Sequence, residues 1–308
     1  MDRRHTLGNL IKILLSAAII GFIFYKFPMD SVWDTILSAN IGLLLAALAF
    51  QILSQTVAAY RWSLIMGILK FDHPFSFYFR SYFKGSLFNQ MLPTSVGGDA
   101  YRIAELTAHG GLVQEAFYGV FIDRIVGLFG LLLLNLLANL IESDLLPEEV
   151  FWSINIVILL AISGLIVLLL IRKVHLLQRY KVTRFFFFLS ERSRLIYRTP
   201  KRINQQIGLS ILIHLLSMIA IFGIGHSVGI NEPLVTYLVL IPPAILLTIL
   251  PISFAGWGVR EGALVALFLL IGVDQTQVLA MSLLYGVILI LSALPGLYFY
   301  LKSKHKYL

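Results

Sequence analysis

The sequence has no cysteine and little charge. Without cysteine there is no disulfide framework, no thiol nucleophile and no thiolate metal site. Charged residues are 13% of the 308, against roughly 25% in an ordinary soluble domain. The chain also lacks a Walker A phosphate loop, a His-Glu-x-x-His zinc motif and an Asp-x-Asp pair for a nucleotide sugar. No catalytic residue, metal or cofactor is expected, and no ATPase to drive a cycle. The first apolar run follows Arg3 and Arg4, as a signal peptide's would. It ends in Tyr25-Lys26-Phe27-Pro28 without a small-x-small cleavage site, so it reads as a retained span.

What the chain does have is apolar length. It is 58% hydrophobic, includes 22 phenylalanines and has a mean hydropathy of +0.87. Several runs reach the roughly 20 residues that a helical span needs. This is an all-α integral membrane protein by composition, with one membrane domain over residues 1–308. The net charge of +8 sits in tails and in loops between apolar runs. That is the positive-inside pattern of a multi-pass protein, here a plasma membrane protein (a bacterial or archaeal cell inner membrane), and it argues against nucleic acid as a partner.

Charge then sets the expected course. Residues 1–6 are basic and cytoplasmic, and Leu7–Phe27 is the first span. The loop Pro28–Asn40 carries Asp30 and Asp34 and no base, so it lies outside. Ile41–Tyr60 spans back to Arg61 and Lys70, with Arg61-Trp62 fitting an interfacial anchor. Phe117–Ile141 leads out to Glu142–Glu149, which has four acids and no base. Phe151–Ile171 returns to a linker, 172–204, with ten Lys or Arg against the single acid Glu191. Its cations and rings (Phe185–Phe188, Tyr197) suit the inner surface. Ile207–Val228 goes out again, and Gln277–Leu301 ends in a tail with three Lys. Both termini are expected in the cytoplasm.

Between these spans a ten-residue stretch occurs twice: Pro93-Thr-Ser-Val-Gly-Gly-Asp-Ala-Tyr-Arg102 and Pro251-Ile-Ser-Phe-Ala-Gly-Trp-Gly-Val-Arg260. Both read Pro-x-Ser-apolar-small-Gly-x-small-x-Arg. Pro93, Gly97 and Gly98 in one copy, and Pro251, Gly256 and Gly258 in the other, should break the helix into a hairpin. The prolines Pro242-Pro243 add an earlier interruption to Leu234–Leu250. Parity makes the first hairpin (74–112) enter and leave on the cytoplasmic side and the second (230–275) on the outer side. The order span, span, broken hairpin, span is thus repeated with opposite topology, over 1–141 and 150–301. That is an inverted repeat, with about six full spans plus two re-entrant hairpins, or ten crossings if each hairpin crosses twice.

The segments Asn89-Gln-Met-Leu-Pro-Thr-Ser-Val-Gly-Gly-Asp-Ala-Tyr-Arg102, Asp123-Arg-Ile-Val-Gly127 and Gly256-Trp-Gly-Val-Arg-Glu-Gly262 together resemble the lysylphosphatidylglycerol synthase transmembrane, or flippase-like, family. The resemblance covers nearly the whole chain. Its membrane domain is similar to the N-terminal half of the multiple peptide resistance factor, which makes aminoacyl lipids and moves them between leaflets. This chain ends seven residues after its last span, so the resemblance carries over lipid handling and not the synthase activity. It implies a lipid flippase or transporter, with a membrane-embedded lipid-modifying enzyme or an accessory subunit of a lipid or glycan synthase as the alternative. Expected partners are lipids with anionic or zwitterionic headgroups, and beyond them a second copy of the chain or a lipid-synthesis enzyme.

The candidate headgroup residues are the charges at the motifs. Asp99, Arg102 and Glu105 fall at i, i+3 and i+6, which puts Asp99 beside Arg102. Arg102 and Arg260 would hold phosphate through their forked donors, with Asp99, Glu105 and Glu261 tuning them. An internal ion pair would equally account for Asp99 and Arg102. Asp123 and Arg124 cannot face the same way, so each should pair with a hairpin charge; Arg124 snorkelling to the interface is the plainer alternative. Asn89, at the head of the matching stretch, completes the set. His214 and His226 are expected to make helix-to-helix hydrogen bonds rather than bind metal.

Overall fold

The computed structural model describes residues 21, 25, 27–92, 97–173, 181–249 and 257–304. Among these residues the chain is helical, with no strand. The helices are α1 (Met29–Leu37), α2 (Ile41–Ile68), α3 (Phe75–Met91), α4 (Gly97–Ala108), α5 (Val113–Ile141), α6 (Glu148–Leu170), α7 (Lys181–Ile196), α8 (Pro200–Ser227), α9 (Leu234–Ile249), α10 (Val259–Leu269) and α11 (Gln275–Lys304). Five of them, α2, α5, α6, α8 and α11, are long and apolar enough to cross a membrane. They correspond to five of the six expected spans. The sixth, Leu7–Phe27, falls almost wholly outside the described residues, as do Pro93, Pro251 and Gly256.

Local signals explain most boundaries. The Asn40 side chain accepts from the Leu43 N–H at 3.2 Å and opens α2. Thr199 caps α8, with Pro200 in its first turn. The helices α3, α4, α9 and α10 have 17, 12, 16 and 11 residues, each short of the roughly 20 that a straight crossing needs. Both motif copies therefore coincide with short, paired helices.

Two expectations fail. The acidic stretch Pro28–Asn40 is not an open loop. It folds as α1, with Pro28 at the N-cap, Asp30 in the first turn and Val32 buried, and it packs on α11. Nor do Pro242 and Pro243 interrupt α9, which runs through both. A proline removes the N–H that would bond the carbonyl four residues earlier. Here the two orphaned carbonyls are those of Leu238 and Val239. The Asn135 amide of α5 donates to both, at 2.8 and 2.9 Å. A side chain about a hundred positions away thus keeps the helix whole.

The packing interleaves the two halves of the chain. The longest interface is α2 on α8; α3 lies on α11 and on α4, α9 on α5 and on α10. Gly98 lets α3 and α4 touch, because a Cβ there would collide with the Gly85 carbonyl. Gly296 does the same for α11 against the Phe83 backbone. Around this body α6 is peripheral: only 11% of its apolar window is buried, against 56% for α5 and α11. The linker helix α7 is docked, with Leu189 and Ile196 packed near Ile65 of α2 and Ile122 of α5.

Candidate functional site

Charges inside a membrane protein are expensive unless each finds a partner. The first motif copy solves this with a chain of alternating sign. Asp123, on α5, is 1% exposed and receives two arginines. Arg61 reaches its Oδ1 through Nε at 3.0 Å and Nη2 at 2.9 Å, and also donates to its carbonyl. Arg102 donates from Nη2 to Oδ2 at 2.9 Å. Its Nη1 lies 3.3 Å from Asp99. Asp99 in turn accepts from Arg124 Nε and Nη2, at 2.7 and 3.1 Å. At the far end Arg61 Nη1 donates to Ser210 of α8, at 2.7 Å. The order is Ser210, Arg61, Asp123, Arg102, Asp99, Arg124. It joins α8, α2, α5 and α4.

The local geometry follows from helix periodicity. Asp123 and Arg124 are adjacent and so diverge by about 100° around α5. One turns inward to Arg61 and Arg102, the other outward to Asp99. The Arg124 side chain is 49% exposed, on the outward side of the network. Asp99 stands in the first turn of α4, where the helix dipole favours an anion. Asn89 caps that helix from α3, accepting the Gly98 N–H at 2.7 Å. Trp62 and Tyr82 cover the Arg102 guanidinium, at 4.1 and 4.9 Å from the ring centroids. The Nε of Arg102 and the Nε1 of Trp62 are buried donors without a hydrogen-bond partner among the described residues. Glu105 does not join this chain; it pairs with Lys84 of α3.

The second copy is built similarly. Arg260 donates to Glu261 from Nη2 at 2.5 Å and from Nε at 3.0 Å. Ser282 of α11 bridges the two, at 3.2 and 3.1 Å. Trp257 and Tyr285 lie over the guanidinium, at 4.9 and 5.6 Å. Glu261 also accepts from the Gly258 N–H at 2.6 Å, so it caps its own helix, and Gly258 takes the φ of +85° that this turn requires. Each motif arginine thus has one Trp, one Tyr and at least one carboxylate around it.

The structure does not bring the two arginines together. Gly286 of α11 faces Arg260 and Trp257, while Gly296 faces Phe83 and Lys84. Ten residues of helix separate those levels, about 15 Å at the standard rise. Among the described residues no hydrogen bond or ion pair joins the clusters.

Several members of the site escape a reading of sequence. Arg61 is no interfacial anchor: α2 continues to Ile68, and Arg61 is 4% exposed inside the network. The signal for it is a lone arginine followed by another apolar turn. Lys84 carries the same signal inside α3. Ser210, Tyr82, Ser282 and Tyr285 carry none, being ordinary residues of apolar helices. His214 bonds the Gly127 carbonyl of α5 at 2.8 Å, across helices as expected, whereas His226 lies 3.2 Å from the Phe222 carbonyl of its own helix, against the expectation. The stretch Gly225-His-Ser-Val-Gly229 spells the Gly-x-Ser-x-Gly pattern of hydrolases. It lies at the end of α8, not on a strand-to-helix turn, and Ser227 Oγ donates to the Ile224 carbonyl at 2.6 Å.

No curated protein matches the chain. The family model for the lysylphosphatidylglycerol synthase TM region matches residues 9–296, which takes in both motif copies and every residue of the two clusters. By that match the chain belongs to the lysylphosphatidylglycerol synthase transmembrane-region family, a multi-pass, lipid-related class of membrane proteins.

Proposed function

We propose that this protein moves a lipid headgroup across the membrane, as a flippase or transporter for a phospholipid or polyprenyl-linked lipid, and is not itself an enzyme. The family gives a lipid-related role. The finer reading rests on one observation, the buried network at the first motif. Among the described residues its three guanidiniums and two carboxylates leave one positive charge in excess. A cation excess at the half-exposed, outward side of the network suits an anionic ligand. Phosphate oxygens match a guanidinium fork as carboxylate oxygens do, so a headgroup can exchange with Asp99 on Arg124 and Arg102. Because the two motif arginines stand apart, the reading assigns the headgroup two stations, one at each copy.

The packing supports an inverted repeat. Let α2 exchange with α8, α3 and α4 with α9 and α10, and α5 with α11. The pair α2–α8 maps onto itself, α3–α11 onto α9–α5, α4–α5 onto α10–α11, and α2–α3 onto α8–α9. All of these pairs are in contact. An in-plane pseudo-two-fold would produce that pattern, with hairpins entering from opposite faces and both termini in the cytoplasm. The membrane we assign is the plasma membrane. Reconstitution in liposomes with leaflet-labelled lipids tests the function. The expected outcome is faster exchange that Arg102→Lys and Arg260→Lys each largely abolish. No acceleration with any phospholipid or polyprenyl-phosphate lipid would sink the proposal.

A further inference from the structure

A cavity of about 570 Å³ opens where α2 meets α3 and α4 meets α5, with α7 as its third wall. Lys70, His73, His109 and Arg192 line it, with the acids Asp72 and Glu115. Glu115 already accepts from Arg192 at 2.7 Å, and that bond holds the guanidinium above its ordinary pKa. Asp72 is exposed. The rings of His73 and His109 lie 6.0 Å apart. His109 Nδ1 is 2.8 Å from the Glu105 carbonyl, which can only accept, so the Nδ1 carries hydrogen and the Nε2 is left for another partner. With Arg192 engaged by Glu115, Lys70 is the cation of this polar basin without an ion-pair partner among the described residues.

A second observation concerns Lys70. Four helices here end in the same Schellman turn, in which the residue after the cap adopts a left-handed conformation. The bonds are Phe71 N–H to Met66, Gly111 to Leu106, Ile230 to Gly225 and Val273 to Phe268. Three of the left-handed positions are Gly110, Gly229 and Gly272. The fourth is Lys70, with φ +67°, the one non-glycine with positive φ among the described residues. A side chain is strained there. The exception to glycine is a lysine that lines the cavity.

The third observation is the rim. Leu112 and Leu195 edge the basin and are 73% and 51% exposed. From Leu112 an exposed strip of Val113, Phe117 and Phe121 runs along α5, and Phe185 of α7 lies 5.8 Å from both phenylalanines. A basin edged by the unpaired cation Lys70 and continuous with an exposed apolar strip on a membrane helix matches the two chemistries of a phospholipid.

From this arrangement we infer a loading site for a phosphate-bearing lipid: the phosphate in the basin against Lys70, with His73 and His109 lining the space beside it, and an acyl chain along Val113, Phe117 and Phe121. It rests on the lipid-handling reading and adds to it a station outside the buried network, at the mouth of the first hairpin. The shared chemistry is a phosphate, and a soluble phosphate compound would meet the same donors.

The experiment measures occupancy, not transport. The full chain is placed in phosphatidylcholine nanodiscs containing phosphatidylglycerol with an acyl-chain diazirine, irradiated and mapped by peptide mass spectrometry. Labelling is expected in the peptides bearing Val113–Phe121 and Phe185–Leu195. Lys70→Gly relieves the left-handed strain, so it should raise the melting temperature while cutting that labelling at least fivefold. Lys70→Asn, which tolerates the conformation without the charge, should lose labelling likewise. Unchanged labelling in both variants, or none at these peptides, overturns the site. Protection of the cavity by inorganic phosphate without lipid labelling reassigns it to a soluble ligand and overturns the lipid half. Labelling without transport would leave this site standing and remove the flippase reading; transport without labelling would do the reverse.

Discussion

Asp123 is the residue on which the first cluster turns. It is shared by Arg61 and Arg102 and shielded from water, so its loss strands two buried guanidiniums. Removing one partner of a buried pair costs about 3–5 kcal/mol. Asp99 also bridges two arginines, but one of them, Arg124, is half exposed and can be rehydrated. Thermal melting in detergent should therefore show Asp123→Asn losing several degrees more than Asp99→Asn; equal losses would contradict the ranking. Arg102→Lys makes a different point. A lysine keeps the charge but cannot hold Asp99 and Asp123 at once beneath Trp62. It should express near normally and lose most lipid movement. Full activity in Arg102→Lys and Arg260→Lys alike would make both arginines structural charges.

Among the elements, α9 shows how a helix survives two consecutive prolines. Its integrity depends on α5, through Asn135. Replacing Asn135 with Leu strands the Leu238 and Val239 carbonyls, at about 1–3 kcal/mol for each buried group left unsatisfied. Changing Pro242 and Pro243 to Ala restores the N–H groups that those carbonyls lack. Asn135→Leu should then be markedly destabilising in the native background and much milder in the double-alanine background. A loss of equal size in both would show that Asn135 does something else. The hairpin α3–α4 depends instead on close approach. Gly98→Ala drives a methyl into the Gly85 carbonyl and should cost about 1–3 kcal/mol in melting experiments, with Gly110→Ala, where space is open, separating the steric effect from the helix-end effect.

The whole molecule raises the question of sidedness, and single cysteines in a chain that has none answer it. Ser38, Ser143 and Asn231 are exposed and should label from outside intact cells. The inner markers need choosing from the fold. Ser193 lies in the basic linker but is 1% exposed, so a cysteine there would be silent whichever side it occupied. Arg194, its exposed neighbour, is the better position, together with Ser303. Labelling of Arg194→Cys by an impermeant reagent from outside would overturn the inverted repeat and, with it, the pairing of the two motif copies.

The sequence by itself determined the solvent, five of the six expected apolar spans and the short helices beside the two motif copies. Each of these is set by neighbours along the chain: an apolar run long enough to span, or a Pro and Gly cluster that a helix cannot absorb. It also made the two copies of the motif legible, along with the neighbourhood of Asp99 and Arg102, three residues apart on one helix. What it could not determine is how the buried charges are neutralised. Arg61 and Asp123 are 62 positions apart, and Asn135 and Leu238 are 103 apart. Nothing local marks such pairs, because a buried ion or a bare carbonyl is satisfied by whichever helix packs beside it. For the same reason the sequence reads Pro242-Pro243 as a break and Arg61 as an anchor. Only the packing of α5 against α9, and of α2 against α5 and α8, supplies the partners that make one a continuous helix and the other the inner end of a charge network.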